Sequence, residues 1–559
     1  MITLGFNLHH DASFSVIKDG KLLSHINAER ITRIKKDWDL NQEVLDYALE
    51  AAGIKFEDID NVACSYWRPN NFIKAYYVAK DRFLTNETLI DWDREIGYNQ
   101  TTYGYEIKED LMHLHEPFTR QGEYSIQPKW YFLNFTINEK LIPGYFVNHH
   151  LSHCATAFFT SNLEKSACFS LDATGVYPEG SSLFTEGVKN EINVFDSPQC
   201  MLGTLYDERT SDIGLGDGTF KAGAMMGLAP YGKIIPEYLE MKDEITTSNH
   251  NRKVTKKDSL HLRWQWRKIT KHLLEKDKYY NDEDNGMFCL KQSDSQFGRD
   301  VAHTTQYIFE NGVMKYVDEL KDQTNSDNLC IGGGSFLNCT SNGNLRKNGP
   351  FKNIYIHPAS GDDGTSIGAA LYIQHFWFEV PRVKWTNKDR MYGGREYKRY
   401  SDGKLNYNKV VEYLLEENHV VAWFQGKSEI GPRALCNRSF LADPRNLEIR
   451  DYINSKLKKR EWFRPFAPVV LAEKASEWFD FKGESPFMLF ASQVKQPDLI
   501  PGVTHVDGSA RVQTVTKEDN PKMHKLLKIW EQKTGIPILL NTSLNLGGEP
   551  LVETPEDAL

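Results

Sequence analysis

Cysteine is scarce in this sequence. Eight occur among 559 residues, at positions 64, 154, 168, 200, 289, 330, 339 and 436, and no two of them form a C-x-x-C pair. That excludes a paired-thiol zinc or redox motif, and cysteines set in apolar runs such as Ala167-Cys168-Phe169 are expected to be reduced core thiols. Long apolar runs are also missing, so nothing approaches the ~20 residues that a membrane-spanning helix requires. The opening MITLGFNLHHDASF has no basic start and meets two histidines and an aspartate early, which argues against a signal peptide and makes the cytoplasm the expected location. Nor is positive charge in excess: the net charge of -9 gives no global attraction to nucleic acid or to an anionic membrane, and neither is expected as a partner.

What remains is an ordinary globular composition, 40% hydrophobic and 26% charged, over a length beyond the ~250–300 residues that one core supports. At least two α/β domains are expected. The chain opens with strand Ile2–Leu8, a polar turn, strand Ser13–Ile17, a Lys18–Lys21 turn and strand Leu22–Asn27. The design recurs as strand Ala167–Leu171, the turn Asp172-Ala173-Thr174-Gly175, and strands Ser181–Glu186 and Ile192–Phe195. Two such halves present two polar turns to one ligand across a cleft, the duplicated plan of the actin/Hsp70/sugar-kinase (ASKHA) superfamily.

Helical spacing runs from Phe297 to Leu320, followed by strand Asn328–Ile331 into Gly332-Gly333-Gly334-Ser335 and strand Asn353–His357 into Gly361-Asp362-Asp363-Gly364. Residues 375–405 lose periodicity and gather charge, proline and glycine, so the junction is placed there. The expected domains are 1–380, with insertions near 65–135 and 245–295, and 381–559. In the second domain strands are expected at Val420–Phe424, Val469–Leu471, Met488–Ala491 and Ile536–Leu540, with a helix over Lys522–Lys533.

Four sites offer chemistry. Asn148-His149-His150-Leu151-Ser152-His153 starts a helix with His149 and His153 on one face, close enough to share a cation, although such a pair alone is equally a helix-surface or core feature. Asp172 and Asp362, each ending a buried strand in a glycine turn, could complete a two-His, two-Asp site suited to Fe(II), Mn(II) or Zn(II). His10 beside Asp11 in the first polar turn is placed to act as a general base, or is a turn-capping pair. Gly332, Gly333 and Asn338, with Lys221 inside the small-residue run 218–232, suit a nucleotide wall or tight packing. The second domain gathers Arg433, Lys458, Arg464 and Arg511 among glycine, proline and aromatics, where a buried guanidinium needs an anion such as phosphate.

These motifs, together with Glu29-Arg30 through Lys35, Met226–Gly232, Arg464-Pro465-Phe466 and Asn541-Thr542-Ser543, resemble the O-carbamoyltransferase family of nodulation protein U, cephalosporin hydroxymethyl carbamoyltransferase and tobramycin carbamoyltransferase. The resemblance spans nearly the whole chain. It implies an actin/Hsp70-like first domain and a YrdC-like second domain that makes carbamoyl adenylate from carbamoyl phosphate and ATP, the latter with Mg. A divalent metal, Fe(II) by the resemblance, would be held by His149, His153, Asp172 and Asp362. Arg433, Lys458, Arg464, Arg511 and Asn541 would bind phosphates, and Lys221, Gly332, Gly333 and Asn338 the nucleotide in the first domain. His10 would help deprotonate a hydroxyl of a small-molecule acceptor in a pocket near Glu29, Arg30 and Lys35.

The sequence departs from the family pattern at Ala28, where the family has a second glutamate, and at Cys436, where it has glycine. The resemblance also implies a further helix and strand beyond Leu559 and leaves a homodimer open. A catalytically inactive nucleotide-binding regulator of the same fold is the alternative.

Overall fold

β1 (Ile2–Asn7), β2 (Ser13–Lys18) and β3 (Lys21–Asn27) form an antiparallel meander, because alternating apolar residues are broken by the tight Asp19-Gly20 turn. On its other side β1 pairs in parallel with β4 (Asn61–Tyr66), and β4 with β8 (Lys140–Val147). β5 (Ile73–Val78), β6 (Leu89–Asp91) and β7 (Trp130–Ile137) extend this sheet to the order β3-β2-β1-β4-β8-β7-β5-β6. A second sheet repeats the plan with β9 (Lys165–Leu171), β10 (Ser182–Val188), β11 (Glu191–Asp196), β12 (Asn328–Gly332) and β13 (Asn353–Ile356), in the order β11-β10-β9-β12-β13. Here too the meander is antiparallel and the last two strands are parallel. The duplication expected from the sequence is therefore present in both strand order and strand sense.

The computed structural model describes residues 1–66, 72–78, 89–91, 130–173, 182–198, 200–239, 268, 295–397, 405–417 and 419–559. Most of the expected insertions, including Trp67, Trp92, Tyr98, Tyr103 and Tyr105, lie outside these residues, as do Gly175 and Cys289. The seven described cysteines are free and buried, as reduced core thiols should be.

Between the two sheets lie the helices His149–Thr160 and Thr365–Tyr372, and every residue of both is buried. Their crossing is set by small residues. A Cβ at Gly368 would stand 1.9 Å from the Ser152 carbonyl oxygen, so only glycine lets the two backbones approach this closely.

The second unit carries a five-stranded sheet, β14 (Val420–Phe424), β15 (Arg438–Ala442), β20 (Ile538–Ser543), β16 (Ala467–Leu471) and β19 (Gln513–Val515) in that order, and a ribbon of β17 (Ala491–Gln493) and β18 (Ser509–Arg511). The apolar run at 488–490 is not a strand: Met488 takes a φ of 56° that breaks extended pairing, and its side chain is buried in the core instead. β15 escaped the sequence reading because its run is short and opens on a buried arginine. A single apolar cluster reaches from Phe169, Phe336 and Leu345 through Tyr392 to Leu435, Phe463 and Phe487, so the two units share a core.

Gly368→Ala is expected to force the two central helices apart at a cost of ~1–3 kcal/mol. A lowered thermal midpoint checks this, and an unchanged one would show that the crossing relaxes freely.

Candidate active site between the two sheets

The central strands end on one edge. Asp172 follows β9, Asp362 follows β13, His9 and His10 follow β1, and the helix that starts at His149 follows β8. Ligand sites in open α/β sheets form at such carboxyl ends. Asn148 caps that helix by accepting from the Leu151 amide at 3.0 Å, which fixes its first turn. His149 and His153, one turn apart, then aim their Nε2 atoms at a common point.

The four donors converge there. His149 Nε2 lies 3.2 Å from His153 Nε2, 3.6 Å from Asp172 Oδ2 and 3.4 Å from Asp362 Oδ1. His153 Nε2 lies 3.3 Å from Asp172 Oδ2 and 3.4 Å from Asp362 Oδ1. Ligands about 2.0–2.1 Å from one tetrahedral ion stand about 3.3 Å apart, so these spacings suit a single cation. Asp362 Oδ1 is buried without a hydrogen-bond partner, which is also what a ligand oxygen would show. Burial alone would neutralise the His149 imidazole, but Asp362 and Asp172 outweigh it and raise it to about 10. Asp362 is held well below the ordinary carboxylate range: burial opposes its ionisation, and His10 and His149 reverse that.

The second oxygen of Asp362 faces β1. Its Oδ2 is 2.9 Å from His9 Nδ1 and 3.3 Å from His10 Nε2. His10 Nδ1 is 3.0 Å from Asp11 Oδ2, which also accepts from Lys36 Nζ at 3.1 Å. Asp11 reaches both because its φ of 62° turns the chain sharply after the histidines. Burial lowers the His10 imidazole, yet Asp362 and Asp11 together raise it to about 9. His9, which the sequence offered only as half of a histidine pair, is part of the cluster.

A cationic pocket lies where the second unit meets the first. Arg433, Arg464 and Arg511 gather there with Arg460, whose role the sequence did not isolate, and Glu461 is the carboxylate among them. Burial, then the like charges of Arg511 and Arg464, push Arg433 down to about 9. Guanidinium stays protonated at neutral pH, so the cluster keeps its positive charge. Glu429 shapes the loop that delivers Arg433: its Oε1 accepts from the amides of Leu435, Asn437 and Arg438 at 2.8, 2.8 and 2.9 Å.

A family model described as carbamoyltransferase N-terminus matches residues 3–371, and one described as carbamoyltransferase C-terminus matches 412–559. The chain belongs to the carbamoyltransferase family. As a member it is a transferase enzyme. It is 32% identical to the uncharacterized protein sll1178 of Synechocystis sp., over 98% of this chain and 92% of that one. It is 31% identical to nodulation protein NolNO of Sinorhizobium fredii, over 98% and 76%. The 3'-hydroxymethylcephem-O-carbamoyltransferase of Amycolatopsis lactamdurans matches at 38% identity over 46% of this chain and 49% of that one. Among the described residues no helix is long and apolar enough to cross a membrane.

Other residues that carried the carbamoyltransferase resemblance contact groups of the protein itself. Lys458 Nζ donates to oxygens of Ser543 and Asn545, and burial with Arg460 and Lys35 nearby lowers it to about 6. Asn541 spends its amide on Ala434 and Gln513 beneath the loop. Asn338 pairs with Gln306 and caps the helix Cys339–Asn348. Gly332 and Gly333 are required by packing, since a Cβ would stand 2.8 Å from the His153 carbonyl oxygen and 2.1 Å from that of Leu171. They seat the metal-side helix against β9. Lys221 pairs with Glu461 across the units at 2.7 Å.

Two of the three expected acceptor residues bridge the units, and the third is held locally. Arg30 donates to the Gly431 carbonyl at 2.8 Å, Lys35 to that of Glu549 at 3.4 Å, and Glu29 accepts from the Lys36 amide at 2.8 Å. Ala28 is fully buried in the first core, where a second glutamate would have no room in water.

Because the free His149 holds a proton below about 10, loading a divalent cation is expected to release it at pH 7. Affinity should therefore rise with pH, about tenfold per unit for each displaced proton. Calorimetry in buffers of different ionisation enthalpy would measure the release, and His149→Ala is expected to lose the bound ion.

Proposed function

We propose that the enzyme carbamoylates a hydroxyl of a small molecule, using carbamoyl phosphate and ATP and passing through carbamoyl adenylate. The observation that carries this is the pairing of two unlike sites in one body, a cluster of buried guanidiniums in the second unit and a His/Asp centre between the sheets of the first. In this reading the first unit is the actin/Hsp70-like transfer domain, and the second is the YrdC-like adenylating domain.

Arg433, Arg460, Arg464 and Arg511 hold the phosphates of both substrates and neutralise charge as it moves between phosphoryl oxygens. Water frees inorganic phosphate from carbamoyl phosphate, and the resulting carbamate oxygen bonds to the α-phosphorus of ATP, brought with Mg, as pyrophosphate leaves. His149, His153, Asp172 and Asp362 would hold a divalent cation, Fe(II) by the resemblance and Mn(II) or Zn(II) by the donor set, which supplies Lewis acidity toward phosphoryl or carbonyl oxygen.

Asp11 orients His10 through Nδ1, and Nε2, on the side of Asp362, would take the acceptor's proton once a cation on that carboxylate offsets the charge that keeps the free imidazole protonated. The acceptor oxygen then bonds to the carbamoyl carbon, and AMP departs with the electron pair of the broken C–O bond. Water exclusion follows from the burial of the helix that carries His149 and His153.

His10→Ala is expected to keep carbamoyl-phosphate-dependent pyrophosphate release while losing carbamate formation on any hydroxylated acceptor found by screening. Arg433→Ala should lower pyrophosphate release by at least about 100-fold, in line with loss of a charge-stabilising donor. Pyrophosphate release unaffected by Arg433→Ala would place the adenylating site elsewhere.

A further inference from the structure

We propose that Asp362 bridges two cation sites, the second formed by His9 Nδ1, His10 Nε2 and Asp362 Oδ2 on the side away from His149. It rests on the metal reading of the first site and extends it from one ion to a pair. The two carboxylate oxygens divide their surroundings cleanly: Oδ1 meets His149 and His153 at 3.4 Å each, and Oδ2 meets His9 at 2.9 Å and His10 at 3.3 Å. The three donors of the second group lie within 4.8 Å of one another, within reach of a single small ion.

The His10 hydrogen bonding points the same way. Its Nδ1 is committed to Asp11, so in the neutral imidazole Nδ1 carries the hydrogen and the Nε2 lone pair faces the Asp362 carboxylate oxygen. Two acceptors 3.3 Å apart repel unless a positive group lies between them, and a proton or a divalent cation satisfies that equally well. The carboxylate–imidazole–metal triad made with Asp11 is the outer-shell arrangement that orients histidine ligands. Asp11 and Asp172 supply the negative charge that a second cation would need beyond Asp362.

Three protein donors leave positions open, the pattern of an exchangeable site rather than a structural one. Bridged ions in two-metal enzymes stand about 3.5–4 Å apart. Occupancy of this site takes the Nε2 lone pair, so a loaded pair and proton acceptance by His10 exclude each other.

The test uses the full chain freed of metal, titrated with Mn(II) alone, with ions per chain counted by equilibrium dialysis and the spin state read by electron paramagnetic resonance. Wild type is expected to bind two ions with the exchange-coupled spectrum of a carboxylate-bridged pair. His9→Gln and His149→Gln should each bind one ion with an uncoupled spectrum, so the result does not depend on one variant folding. One uncoupled ion in wild type overturns the second site and leaves the proposed function standing. Two uncoupled ions overturn it as well, because the second is then elsewhere. No bound ion at all overturns the metal centre of the proposed function together with this extension.

Discussion

The buried carboxylate of Asp362 is the interaction on which the centre depends. It lies at the end of β13, almost fully out of water, and four imidazoles surround its two oxygens. A charge so placed is tolerated only when it is fully partnered, and withdrawing partners from buried ions costs about 3–5 kcal/mol. The turn before β2 and the helix after β8 are each fixed in part by what they present to this one group, and the turn after β9 joins them through the Asp172 contacts with His149 and His153. Its position also explains why both sheets must be present before any site exists, since β1 belongs to one sheet and β9 and β13 to the other.

The second unit solves the opposite electrical problem. Its guanidiniums are crowded together with too little negative charge, whereas the centre between the sheets has carboxylates enough for a cation. The two deficits are complementary, and they lie in different units of one molecule. Rigid delivery of the arginines comes from Glu429, whose carboxylate pins three amides of the loop and so spends its charge on backbone, not on the neighbouring cations.

Much of the centre was legible in the sequence because its ligands sit at strand ends, where an apolar run stops at a histidine or aspartate. His149, His153, Asp172 and Asp362 come together as that pattern required. His9 was hidden because a residue that closes an apolar strand looks the same whether it packs or ligates, and only the fold brings β13 to it. Gly332 and Gly333 could not be assigned from sequence, since a glycine turn between strand and helix reads identically whether it cradles a ligand or lets β9 and the His149 helix pass close by. Lys458 and Asn541 show why contacts stay hidden in sequence: polar residues inside a cationic motif also hold its turns. The departure at Cys436 has a visible meaning, since it sits at a φ of 77°, a conformation glycine adopts freely and cysteine does not.

The apolar cluster that runs from Phe169 and Phe336 into Leu435, Phe463 and Phe487 gives the two halves a common fate. Neither half can be traded alone between relatives without exposing the cut face, so recombination would have to move the pair as one inheritance. A substitution in that shared interior is felt by both halves at once, whereas one in a surface loop is felt by its own half alone.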